Sequence, residues 1–282
     1  MTSSSAKTST ELKQEIIRLG PWHLDVQVIP GLSSSAFLEA PEGTYDASAE
    51  SVGPVSFLDP RVPFQNQMRK IYPEGLEGCS FLDCACNCGA YSFWMKELGA
   101  GSCFGFDVRD HWINQARFLL EHREGPSDGI SFERLDLYDL SKRDLEQFDV
   151  TLFKGIFYHL PDPVAGLKLA ADLTREVLVV NTEVRIDLDD GMLVLDEEET
   201  AALMSGVYGL NWIPTGPRVM ERILNWMGFP ETRLTRWVAY PSRPHQGRLQ
   251  IVGARESGRL DGLPSVKQVT RPPSPRPNGS TT

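Results

Sequence analysis

The segment Phe81-Leu82-Asp83-Cys84-Ala85-Cys86-Asn87-Cys88-Gly89-Ala90 constrains this chain more than any other. An apolar pair runs into Asp83, small residues follow, and Gly89 leads into Tyr91-Ser92-Phe93-Trp94-Met95-Lys96-Glu97-Leu98, with Gly99 as a helix stop. That order predicts a strand, a tight loop and a helix. A loop of small residues lets backbone approach a ligand closely, and the helix N-terminus offers free N–H donors. The unit reads as the first βα step of a fold that binds a nucleotide or adenosyl group.

The next elements repeat the pattern. Ser102 to Asp107 reads as a short buried strand ending in a carboxylate, 18 positions after Gly89. An acidic side chain about 20 residues past such a loop can accept both ribose hydroxyl protons of an adenosine; the competing reading is a solvated strand end. Phe132 to Leu137 forms a third strand, with Asp136 placed to accept from an adenine amino group. The fourth, Phe148 to Phe153, runs into Lys154-Gly155-Ile156-Phe157-Tyr158-His159-Leu160, and the apolar Val177 to Val180 is the fifth. Helices are expected at Glu11–Leu19, His111–Glu124, after Asp162-Pro163, and over Thr215–Met227 with Thr215 as cap. Strands alternating with helices predict an α/β fold, a parallel sheet with helices on both faces.

Asp83 with its loop, Asp107, Asp136 and the strand into Gly155–Leu160 together resemble class I S-adenosylmethionine-dependent methyltransferases, over roughly residues 55–255. The resemblance implies a Rossmann-like, seven-stranded, mostly parallel sheet whose final strands, near Arg233–Tyr240 and Arg248–Ala254, form an antiparallel hairpin. It implies S-adenosyl-L-methionine as cofactor, held by Asp83, Ala85, Asn87, Gly89, Asp107, Val108, Asp136, Leu137, Lys154 and Tyr158. The family has glycine where Ala85 stands, a departure that would tighten the pocket. Trp22-His23-Leu24-Asp25, Asp59-Pro60-Arg61, Gly155–Leu160 with Asp162-Pro163, and Trp212-Ile213-Pro214-Thr215 resemble the branch containing the tRNA wobble-uridine carboxymethyltransferase. There, upstream lysines and a late arginine hold the cofactor's extra carboxylate. This chain has no lysine between Gln14 and Lys70, although Arg248 stands on the matching late strand. Ordinary S-adenosylmethionine is therefore the expected cofactor.

The expected organisation is a disordered stretch at 1–10, an N-terminal helix and cap or lid over 11–70, the cofactor domain over 71–255 with an insertion at 185–212, and a disordered tail at 256–282. The insertion carries Asp187, Asp189, Asp190 and Asp196 to Glu199, which read either as a solvated face or as a substrate wall facing a cation. A net charge of −10 argues against a broad nucleic-acid footprint; polar acceptors of low charge, or cationic ones, fit better. Five cysteines, an odd count, without a secretory segment or a membrane-length apolar run suggest reduced thiols in a cytoplasm. Cys84, Cys86 and Cys88 alternate, but no usual zinc spacing completes them, so no metal is expected.

The expected activity is methyl transfer to an O or N atom of a small molecule, a sugar or secondary metabolite. The alternatives are tRNA wobble-uridine (carboxy)methylation and a non-catalytic adenosyl-binding regulatory protein. Nucleic acid and membrane are not expected partners; a homodimer is one option that the sequence leaves open. His159, after the fourth strand, and His23, in the cap, are the candidate bases, since an ordinary imidazole titrates near neutrality; each also reads as a structural histidine. Trp22, Glu183, Trp212 and Arg248 are the candidate acceptor contacts, with core packing as the competing role of the tryptophans.

Overall fold

The computed structural model describes residues 7–41, 43–45 and 60–267. Asp59 and the proline-rich end of the expected tail lie outside them. Helix α1 (Ser9–Arg18) starts inside the stretch expected to be disordered because Thr8 caps it: Thr8 Oγ1 accepts from Glu11 N, and the Glu11 carboxylate accepts from Thr8 N in return. The chain then makes a small hairpin, β1 (Gln27–Ile29) with β2 (Leu32–Ser33), and later α2 (Arg61–Ile71).

From there strand and helix alternate as β3 (Ser80–Cys84), α3 (Ala90–Glu97), β4 (Ser102–Asp107), α4 (Asp110–His122), β5 (Ile130–Arg134), β6 (Phe148–Lys154), α5 (Pro163–Asp172) and β7 (Thr174–Arg185). The chain closes with β8 (Leu193–Glu197), β9 (Leu210–Pro214), α6 (Pro217–Trp226), β10 (Glu231–Ala239) and β11 (Gln246–Ala254). The main sheet runs β10-β11-β7-β6-β3-β4-β5. Strands β7, β6, β3, β4 and β5 pair in parallel, and β11 lies antiparallel between β7 and β10. The expected α/β class, the seven strands and the antiparallel closing hairpin are all present.

Alternate residues of the central strands enter opposite faces. Phe81, Val150 and Leu152 pack beneath α2 and α3, whereas Leu82, Cys84, Phe106 and Phe153 join the core under α5 and α6. Burying each such side chain contributes about 1.5–3 kcal/mol. The N-terminal segment is fastened to α4: Gln115 Nε2 donates to Leu19 O and Pro21 O at 2.8 and 2.9 Å, and Glu124 N donates to Val28 O.

Two expectations are corrected. Thr215 does not cap α6. Its Oγ1 accepts from Gly191 N and Met192 N, and the Asp190 carboxylate accepts from Arg218 N in the helix's first turn. A carboxylate outside the helix does the capping because Gly216 has no side chain to offer. The tail expected from Glu256 is structured at first, with Leu260 and Leu263 buried in the core.

Gly89 closes the loop in the left-handed region, with φ 76°, and a Cβ there would stand 2.3 Å from the Phe132 ring. Gly89→Ala combines positive-φ strain with overpacking, each on the order of 1–3 kcal/mol. A loss of about 2–5 kcal/mol in urea unfolding is expected; a loss under about 0.5 kcal/mol would mean that the loop can relax.

Candidate active site

The strand order reverses at β3: the chain proceeds outward through β4 and β5, then returns to β6 on the other side of β3. Open α/β sheets bind ligands at the carboxyl ends of strands beside such a switch point. A cavity of about 190 Å³ lies there, lined by Asp83, Asp107 and Lys154 from the ends of β3, β4 and β6.

The loop between β3 and α3 is shaped by backbone rather than by glycine alone. Ala85 and Asn87 take φ of 53° and 54°. The family's glycine would enter that conformation freely; alanine holds it under strain. Ala85, Asn87 and Val108 all line the cavity. Cys86 N donates to Phe106 O at 2.8 Å and ties the loop to β4. Asp107 completes the tie, its two carboxylate oxygens accepting from Asn87 N at 3.1 Å and Arg109 N at 3.0 Å. One N–H per oxygen leaves acceptor capacity at the cavity wall. Burial raises the Asp107 carboxyl to about 6 against the pull of these N–H groups. Burial raises Asp83 further, to about 8, despite the hydrogen bond from Ser92 Oγ. The cysteines around this loop are buried, apart from partly exposed Cys79, and burial pushes the Cys88 thiol up to about 12. Among the described residues no three side chains gather as metal ligands.

Two cations, Lys154 and Arg248, also line the cavity. Lys154 sits over the Tyr91 ring at 5.3 Å, and burial with the repulsion of Arg248 and Arg236 lowers its ammonium to about 8. Arg248 stacks on Tyr158 and Tyr240, and its Nη1 donates to Tyr158 Oη at 3.4 Å. His23 faces the same charges. Burial, then Lys154 and Arg248, lower its imidazole to about 4, and its Nδ1 is buried without a partner.

A segment from the expected insertion covers the cavity. Arg109 Nη2 donates to the carbonyls of Thr200, Ala202 and Ser205, Tyr208 Oη donates to Asp136 Oδ2 at 2.5 Å, and the Glu198 carboxylate lies 2.7 Å from His159 Nδ1. Met204 and Val207 from this strap line the cavity beside Leu137, Tyr158 and His159.

The structure thus brings together His23, Asp83, Ala85, Asn87, Asp107, Val108, Leu137, Lys154, Tyr158, His159 and Arg248. The other expected residues lie off the cavity wall. Asp136 caps a 3-10 turn, Oδ1 accepting from Tyr138 N and Oδ2 from Tyr208 Oη. Gly89 acts through backbone shape. Trp22 is fully buried, its Nε1 donating to Ile16 O and its ring edge on Phe118, which makes it core. Trp212 Nε1 donates to Pro161 O. Glu183 faces Arg243, Tyr240 and Arg248 behind the cavity. Arg109, Trp112 and Tyr91 escaped the sequence reading, whereas the strap at 203–208 falls in the insertion read as a possible substrate wall, without any of its residues singled out. Arg109 directly follows the Asp107-Val108 pair, which is a positional signal.

Comparison with known proteins agrees with this geometry. Residues 76–208 match a family model described as a methyltransferase domain. The tRNA U34 carboxymethyltransferase of Ectopseudomonas mendocina (strain ymp) is 28% identical over 210 residues, 67% of this chain and 60% of that protein. The same-named protein of Campylobacter hominis is 34% identical over 148 residues, 52% of this chain and 50% of that protein. The chain therefore spans 60% or less of the length of these relatives. Among solved structures, the N-terminal domain of EvdMO1 with SAH bound superposes with a TM-score of 0.66 at 17% identity, covering 90% of this chain and all of that one. That likeness establishes the fold.

Proposed function

We propose that this chain, which matches a methyltransferase-domain model over residues 76–208 and is similar to the tRNA U34 carboxymethyltransferases, transfers the methyl group of S-adenosylmethionine to an O or N atom of a small molecule bearing an anionic group. One observation carries the reading: a single cavity lined by two buried carboxylates and by two cations. The Asp107 oxygens have free acceptor capacity for ribose hydroxyls, and Asp83 suits the cationic part of the cofactor. Lys154 and Arg248 would repel that cation unless a negative group lay between, and an acceptor's carboxylate or phosphate supplies one.

S-adenosylmethionine brings a methyl group already activated on a sulfonium sulfur, so the chain supplies orientation, water exclusion and a proton acceptor. The strap at 198–208 covers the site. His159 is the better base. His23, held to about 4 by burial and by the cations beside it, remains neutral and a weak base at pH 7, with its orphaned Nδ1 available to orient a ligand.

A second reading takes the negative group from the cofactor itself. Arg248 stands where the branch carries its late arginine, and Lys154 brings a cation next to it although the upstream lysines are missing. A carboxylated cofactor and transfer to tRNA would follow. Thermal stabilisation by S-adenosylmethionine, its carboxylated form, S-adenosylhomocysteine and NAD separates these readings. Stabilisation by the first and third, with no preference for the carboxylated form, supports the small anionic acceptor. A preference of tenfold or more for the carboxylated form, lost in Lys154→Met, supports the second. Stabilisation by NAD alone would overturn both.

A further inference from the structure

We infer that Glu198 is a positioning residue that fixes the tautomer of His159, so that Nδ1 carries the proton and Nε2 presents its lone pair to the acceptor. The inference rests on the methyltransferase reading of the cavity and deepens it. Glu198 follows β8 in a segment remote in sequence, yet its Oε1 and Oε2 lie 2.7 and 2.8 Å from His159 Nδ1. Both side chains are nearly buried, at 13% and 11% exposure, where a charge-assisted contact is strong. Gly206 N also approaches Nδ1, at 3.1 Å. One ring nitrogen cannot donate and accept at once, and the shorter contact with a charged acceptor decides for Nδ1–H.

The neighbourhood is built for this pair. The Tyr158 ring packs on His159 with centroids 4.0 Å apart, which restricts the imidazole's rotation. At Gly206 a Cβ would stand 2.7 Å from both His159 Cβ and Glu198 Oε2, so only glycine lets the strap lie this close. No described residue bonds Nε2, and His159 lines the cavity. A base whose second nitrogen is held by a carboxylate is the arrangement that activates nucleophiles elsewhere. In transfer, an acceptor lone pair forms the bond to the methyl carbon. The carbon–sulfur bond breaks with its electron pair going to sulfur, and the acceptor's proton moves to His159 Nε2, leaving an imidazolium facing the Glu198 carboxylate.

The test reads the ring directly and needs no acceptor. The full chain, labelled with ¹⁵N in its histidine rings and mixed with S-adenosylhomocysteine, is examined by long-range ¹H–¹⁵N correlation at a pH where the ring is neutral. His159→Asn assigns the signal. The expected wild-type spectrum shows protonated Nδ1 and unprotonated Nε2, unchanged in Glu198→Asp. In Glu198→Gln, whose amide can donate to Nδ1, most of the population moves to the Nε2–H form. Wild-type protein in the Nε2–H form, with Gly206 N–H bonded to Nδ1, would overturn the inference, and so would an unchanged spectrum in Glu198→Gln. Should Glu198→Gln fail to fold, the wild-type tautomer decides alone. Titration of the same samples with S-adenosylhomocysteine keeps the two readings apart: a wild-type chain that shows the Nδ1–H ring but does not bind the ligand counts against methyl transfer and not against the pairing.

Discussion

Asp107→Ala will weaken S-adenosylhomocysteine binding by about 10²–10⁴-fold in calorimetric titration. Two ribose hydroxyls donating to one carboxylate make hydrogen bonds to a charged group, each contributing about 1.5–3 kcal/mol, and every 1.4 kcal/mol is about tenfold in affinity. The same side chain accepts from Asn87 N and Arg109 N, so alanine also leaves two N–H groups without their partner and loosens the loop against β4. Asp107→Asn separates the contributions. Its amide oxygen can still accept one backbone N–H, whereas the charge is gone, so an intermediate loss of about tenfold is expected. Circular dichroism and thermal melting of the empty variants check that the sheet survives. A folded Asp107→Ala that binds within threefold of wild type would place the ribose elsewhere and remove the main support for the cofactor's orientation.

The cofactor end of this cavity was legible because it is built from local pattern. A strand end, a small-residue loop and a helix start occur in one stretch of sequence, and Asp107 follows at a set separation, so chemistry and position are read together. Ala85 shows where such reading stops: its identity predicted a tighter pocket, and the structure shows a strained φ of 53°. Asp136 and Trp22 stand off the cavity wall for a different reason. A carboxylate at a strand end can face ligand or chain, and here Asp136 holds Tyr208 from the distant strap. A cap tryptophan can close over an acceptor or fill the core, and the groove against Phe118 decided for the core. The Glu198–His159 pair spans 39 residues through an irregular segment; no periodicity or spacing marks it. The acidic composition did not reveal the two cations of the cavity, because net charge describes the whole surface and not one wall.

Affinity for S-adenosylmethionine will rise between pH 6 and pH 8, by up to about 100-fold. In the empty site burial holds the Asp83 carboxyl at about 8, above its ordinary 3.8, so it keeps its proton at neutral pH. A cationic ligand favours the ionised carboxylate, and binding below pH 8 therefore expels a proton. One proton released gives up to about tenfold in affinity per pH unit. Lys154, lowered to about 8, acts in the same direction: its loss of charge removes a repulsion, so the rise persists slightly above pH 8. Asp83→Asn will flatten the slope below pH 8, and Lys154→Met the remainder. The stability of the empty protein carries the matching sign. Between about pH 4 and 8 the unfolded chain has lost the Asp83 proton and the folded chain retains it, so the contribution of this group to stability falls as pH rises through that window. Calorimetry in buffers of different ionisation enthalpy counts the protons directly. A carboxylated cofactor needs Lys154 protonated, so its affinity will fall above pH 8 where that of the ordinary cofactor still climbs. Proton release near zero at pH 7, with no slope between pH 6 and 8, would mean that the cationic part of the ligand does not sit beside Asp83.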